Sequence, residues 1–245
     1  MPKIYLSPAY HRWNPCAVAG CDETSHNNRY LDELEPYLKA CGIAYRRGPR
    51  RAPKSSEDGT ALMKKAVAES NAWKPDIHYI SHTNAANGRV RGYRPIIFPG
   101  STKGQKIAEC LMKRRREIYD QAVTLNTRSD LYELKATAAP AYYEEHVFHD
   151  NRQDAQWFHD NLRNIARQTC KGFCDYFGIP FADPYKGDVD GDGKVTTADA
   201  LQALQGAVGK TALAAGKEAA ADMNGDGRIT TADALEVLQK AVGKR

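Results

Sequence analysis

Through the first 180 residues, short apolar runs alternate with stretches where apolar residues return every three or four positions. Residues 3–7 read as a brief strand. Over 28–41, Tyr30, Leu31, Leu34, Tyr37 and Leu38 fall on one helical face, and Gly42 ends it. Residues 43–46 predict a second strand, followed by the basic, proline-rich RRGPRRAP. Residues 56–73 predict a helix, and Pro75 introduces a strand at 76–81. Long amphipathic helices are expected at 104–122 and 154–177, and strands at 131–135 and 142–148. This alternation predicts an α/β domain with helices layered on a sheet.

Beyond residue 186 the pattern changes to a repeat. DVDGDGKVTTADALQALQGAVGK begins at Asp188 and DMNGDGRITTADALEVLQKAVGK at Asp222, 34 residues later. Each copy opens with oxygen-bearing side chains at alternate positions: Asp188, Asp190 and Asp192, then Asp222, Asn224 and Asp226. A glycine follows where the backbone must turn, and Asp199 or Asp233 closes each twelve-residue loop. Hard Ca²⁺ takes six to eight oxygens from such loops, including a position-7 carbonyl, here Lys194 or Arg228. Two calcium ions are expected. Neither loop has a full leading helix, so the copies read as loop-plus-one-helix units.

Composition changes at the same place. All 22 aromatics, all 6 cysteines and all 7 histidines precede Gly187. Residues 1–186 carry a net +7 and residues 187–245 a net −2. Two domains are expected, 1–180 and 187–245, joined by a short linker at 181–186. No apolar run nears the ~20 residues of a spanning helix, so membrane insertion is not expected. Nor does the N-terminus show the ~7–15 apolar residues of a secretory signal. The six cysteines make no CxxC pair, which argues against a structural zinc cluster. Cys170 and Cys174 read as buried small hydrophobes.

The repeats resemble dockerin type I domains across 187–245. That resemblance implies a small all-α, calcium-binding domain whose helices bind a cohesin. Thr197, Ala198, Thr231 and Ala232 match the positions that carry partner specificity in that family, and their identity in the two copies implies that either helix can engage the partner.

In the first domain, His11 follows the first strand, Glu23 precedes the first helix, and His82 ends the third strand in YISHTNA. Two imidazoles and a carboxylate suit Zn²⁺ with a fourth position left for water, whose pKa falls toward about 7 there. Spacing alone equally allows polar surface histidines and a helix-start glutamate. The succession IYLSP, a His and a Glu before helix one, ISHTNA, LYELKATAAPA and EHVFHDN resembles the zinc-dependent N-acetylmuramoyl-L-alanine amidases of the amidase type 3 group, over most of 1–180. The resemblance implies a mixed sheet flanked by helices, one catalytic Zn²⁺ on His11, Glu23 and His82, and a catalytic Glu145 five residues after Pro140. Glu144 should point to the opposite face of its strand. PAYHRWNP replaces the family's glycine-rich turn, and His146 and His149 offer alternative ligands. His26, His78 and His159 read as structural or surface residues.

The expected activity is hydrolysis of the amide joining N-acetylmuramic acid to L-alanine in peptidoglycan, outside the cell at the wall, by a route of release that the sequence leaves open. Two other readings are an inactive wall-binding or scaffold-docked protein of the same fold, and a zinc peptidase cutting another peptidoglycan amide. The basic runs RRGPRRAP and KRRRE lack interleaved aromatics, and residues 114–116 read as a solvated helix face. No nucleic-acid partner is expected.

Overall fold

The computed structural model describes residues 1–11, 14–18, 20–213 and 217–244; Arg12 and Trp13 of the PAYHRWNP motif lie outside them. Among the described residues, no helix is long and apolar enough to cross a membrane. The chain divides into two compact units, Met1–Ala182 and Asp183–Arg245.

In the first unit, β1 (Lys3–Pro8) leads to α1 (Glu23–Ala40), β2 (Ala44–Arg47), α2 (Ser56–Trp73) and β3 (Ile77–Asn84). Next come β4 (Ile96–Ile97), α3 (Thr102–Arg116), β5 (Asn126–Thr127), α4 (Tyr132–Ala136), β6 (Ala141–Phe148), α5 (Arg152–Asp160) and α6 (Leu162–Phe177). One six-stranded sheet runs β2-β1-β3-β6-β4-β5. All pairings are parallel except β4 with β6. This is the mixed sheet with flanking helices that the resemblance implied.

Where the elements differ from expectation, local chemistry gives the reason. Helix α1 starts at Glu23 because Asp22 caps it: Asp22 accepts from the Ser25 amide, and the Ser25 hydroxyl accepts from the Asp22 amide. Its first two turns bury Glu23, Thr24, His26 and Asn27, polar residues that a hydrophobic period cannot register. Glu23 therefore lies inside the helix rather than before it. Likewise β3 continues past Ser81 through the buried His82 and Thr83, so His82 sits within the strand. Residues 131–135, expected as a strand, form the turn of α4. The Lys135 amide donates to the Leu131 carbonyl and the Thr137 hydroxyl to the Glu133 carbonyl, while Leu134 packs with Ile80, Ile96, Ala141 and Tyr143. The helix expected over 154–177 is broken at Asn161, whose side chain donates to the Trp157 carbonyl and closes α5. Helix α3 stops at Arg116, short of the expected Ala122, with Glu117 as its C-cap.

Helix α3 also corrects the reading of residues 114–116 as a solvated face. Arg115 turns inward and is 2% exposed, donating to Glu144 and His146. Arg114 pairs with Asp175 and Glu117. In the other basic run, Arg47 pairs with Asp32 and Glu35, Arg50 with Asp32, and Arg51 with Asp58.

The second unit contains α7 (Thr197–Ala207), α8 (Glu218–Ala221) and α9 (Thr231–Ala241). Its small core is Val189, Ala200, Ala203, Ala221, Ala234 and Val237. Helices α7 and α9 start in matching capping boxes, Thr196 with Asp199 and Thr230 with Asp233. The short α8 leads into the second loop, a feature its sequence did not suggest.

Candidate metal centres

His11 sits in the loop after β1 and is pinned there twice. Its amide donates to the Thr24 hydroxyl, which donates back to the His11 carbonyl. His82 Nδ1 lies 2.9 Å from Glu23 Oε1, and His11 Nε2 3.8 Å from Glu23 Oε2. All three residues offer a ligand atom within 4.8 Å of the others. The Asn14 amide donates to Glu23 Oε2 at 2.5 Å and the Thr83 N–H to Oε1 at 3.1 Å, the kind of outer support that orients metal ligands. Burial opposes ionisation of Glu23, but the His82 hydrogen bond and both imidazoles bring its carboxyl down to about 2. Burial in turn lowers the His11 pKa, favouring the neutral imidazole that ligates metals. This N₂O donor set fits a zinc-type ion with an open position.

Glu145 is registered opposite His82 across the parallel β3–β6 pair, so both side chains project from the same face of the sheet. His82 stacks on Tyr143, two residues before Glu145, at 4.5 Å. Glu145 Oε2 is buried without a hydrogen-bond partner. Burial raises its carboxyl to about 7, within reach of a proton exchange at neutral pH. A cavity of about 300 Å³ beside these groups is lined by Tyr10, His11, Gly59, Met63, His82 and Glu133, among others. Glu133 is a further buried carboxylate there, bonded to the Ser7 hydroxyl and His78. Sequence reasoning missed it, because a strand reading of 131–135 gave no cue to its direction.

Strand alternation places Glu144 on the opposite face, as expected, against Arg115 at 2.9 Å. His146 is also on that face, between Ser81 and Arg115, which removes it as an alternative ligand. His149 bonds Thr83 and Asn14 and stands outside the His11–Glu23–His82 group.

The two repeat loops are built alike. Asp188 accepts from the Gly191 and Gly193 amides, and Asp222 from Gly225 and Gly227. Asp190 and Asp192, like Asn224 and Asp226, accept from the amide two residues on, the last of these being Lys194 and Arg228. All four glycines hold φ near +80°, where a side chain would be strained. Asp188, Asp190 and Asp199 bring carboxylate oxygens within 4.8 Å of one another, about the diameter of a Ca²⁺ coordination shell with ~2.4 Å bonds. Asn224 supplies an amide oxygen at the equivalent point of the second loop. Thr197, Ala198, Thr231 and Ala232 open α7 and α9. These helices leave Leu201, Leu204, Leu235 and Leu238 exposed.

Residues 186–240 match the dockerin type I domain. No curated protein sequence matches the chain. Among solved structures, the CwlD amidase of Clostridioides difficile, solved with the GerS lipoprotein, superposes with a TM-score of 0.63 at 16% identity, covering 73% of this chain and 99% of that one. The catalytic domain of CwlV, an N-acetylmuramoyl-L-alanine amidase from Bacillus (Paenibacillus) polymyxa var. colistinus, gives 0.62 at 14% identity, covering 74% and 100%. The catalytic domain of the CD27L endolysin, which targets Clostridia difficile, gives 0.58 at 17%, covering 71% and 98%. The chain thus combines a unit with the fold of the N-acetylmuramoyl-L-alanine amidases and, at residues 186–240, a dockerin type I domain.

Proposed function

We propose that the first unit is a peptidoglycan hydrolase that cleaves the amide between N-acetylmuramic acid and L-alanine of the stem peptide. The observation that carries this reading is the convergence of His11, Glu23 and His82, with Glu145 in register beside them, in a fold shared with such amidases. His11, Glu23 and His82 would hold a Zn²⁺, which would supply a Lewis acid for the scissile carbonyl and lower the pKa of bound water toward about 7. Glu145 takes a proton from the attacking water and returns one to the departing alanine nitrogen. A carboxyl held near 7 by burial can do both at neutral pH. Glu23 anchors His82, while Asn14 and Thr83 hold Glu23 still. The net +7 of residues 1–186 favours approach to an anionic wall.

The second unit holds two Ca²⁺ ions, one per loop, and docks through α7 or α9 to a cohesin, tethering the hydrolase at the cell wall or outside the cell. Isolated walls test the reading. The wild-type chain should release stem peptides with new N-terminal alanines. Glu145→Gln should lower turnover by about 10²–10⁴-fold with zinc retained, whereas His82→Ala should lose the zinc. Wild-type turnover in Glu145→Gln would sink the assignment, and new termini at a different amide would redirect it to a peptidase.

A further inference from the structure

A second cluster of metal-ligating groups forms away from the proposed catalytic ligands. Cys21 lies in the loop before α1, His26 in the first turn of α1, and His159 near the end of α5. His26 Nε2 is 3.1 Å from His159 Nδ1, and Cys21 Sγ is 3.2 Å and 3.8 Å from those two atoms. Tetrahedral zinc, with bonds of ~2.3 Å to sulfur and ~2.0–2.1 Å to nitrogen, separates its ligands by about 3.3–3.6 Å. Each edge of the observed triangle lies within a few tenths of an ångström of that range.

The surroundings fit a metal as well. His26 is buried and its ring stands edge-on to Phe158. Its other nitrogen, Nδ1, is 3.4 Å from Cys16 Sγ, an outer contact of the kind that orients a ligating imidazole. Cys21 and His159 are only partly buried, so an ion can enter from solvent.

We infer that Cys21, His26 and His159 form a second site for a zinc-type divalent cation, with one thiolate and two imidazoles as ligands and a fourth position open. Thiolate with imidazole selects Zn²⁺ or Co²⁺ over Mg²⁺ and Ca²⁺. Binding forms a metal–sulfur bond and releases the Cys21 thiol proton to solvent. The ion would tie α5 to the loop that also carries Asn14, the residue that bonds Glu23. The site is built from residues of which the hydrolase reading uses none.

Cobalt titration of the zinc-free full chain tests this directly. A thiolate ligand produces a near-ultraviolet sulfur-to-cobalt charge-transfer band, which the sulfur-free His11–Glu23–His82 set cannot give. The band should be present in the wild type, lost in Cys21→Ser, and retained in Cys170→Ser, which controls for the separate thiol group of Cys41, Cys170 and Cys174. Cys16→Ala should keep the band but weaken affinity about tenfold. An arm needing no variant follows alkylation of Cys21 in wild-type protein with Zn²⁺ present and absent, where Zn²⁺ should slow it. A band independent of Cys21, or equal Cys21 alkylation in both conditions, overturns the inference. Either result leaves the wall-hydrolysis assay unaffected.

Discussion

Replacing Arg115 with Met tests the buried layer behind the site. The Arg115 guanidinium lies 4.4 Å over the Tyr93 ring and donates to Glu144 and His146, each at 2.9 Å. Met preserves much of the apolar packing but removes the charge. Glu144, 1% exposed, would lose its counter-charge, and removing one partner of a buried pair costs about 3–5 kcal/mol. For a unit of this size each kcal/mol is worth about 2–4 °C, so melting should fall by roughly 6–20 °C. The loss should also depend on pH. Burial already pushes the Glu144 carboxyl well above the usual carboxylate range in the native protein, and losing the neighbouring guanidinium can only push it further. A folded-state pKa above the unfolded one means that stability declines as pH rises past the unfolded value, by up to ~1.4 kcal/mol per unit. The deficit should therefore widen as pH rises, compared at pH 5 and pH 7. Near-ultraviolet circular dichroism follows mainly the first unit, because every aromatic except Tyr185 lies within Met1–Ala182. Adding Glu144→Gln should restore much of the stability. A melting point within about 1 °C of wild type at both pH values would refute the reasoning.

Two further predictions concern the second unit. Chelating Ca²⁺ should lower its helicity and expose it to protease while wall hydrolysis continues; Asp192→Ala should blunt only the calcium response, whereas Asp199→Ala should also unravel the start of α7 in chelator, since losing a cap costs about 0.5–2 kcal/mol. Identical dichroism and cleavage with and without calcium would defeat this. Replacing Thr197-Ala198 or Thr231-Ala232 with a charged pair should leave capture by a cohesin intact, and replacing both should abolish it; undiminished capture by the double variant, measured by calorimetry, would show that the docking face lies elsewhere.

What could be read from the chain divides by the distance over which each signal acts. The two repeat loops were legible because each is a local pattern stated twice, 34 residues apart. Glu145 was suggested by the family resemblance, and alternation along its strand placed Glu144 behind the sheet. The start of α1 was not legible, because its first turns bury the polar Glu23, Thr24, His26 and Asn27, and polar burial leaves no hydrophobic period. Strands β4 and β5, two residues each, are too short to carry one. Arg115 looked like part of a solvated basic run, and only its partner on β6 reveals that it is buried. Cys21, His26 and His159 could not be grouped by spacing, since 133 residues separate the two histidines that the fold sets side by side.

The strand order has a consequence for how the molecule comes into being. Strand β6 is the last of the sheet to leave the ribosome, yet it sits in the middle, between β3 and β4. Until it arrives, β3 presents an open edge that any other extended chain can pair with. Closing the sheet requires contacts distant in sequence, which slows folding and lengthens the interval of exposure. A nascent chain ending before Ala141 already contains His11, Glu23 and His82 but lacks Glu145. Under the proposed chemistry it could load metal and still not cut. Under that proposal, hydrolytic competence would be acquired in the same event that seals the sheet, and an incomplete chain would be aggregation-prone but harmless to the wall.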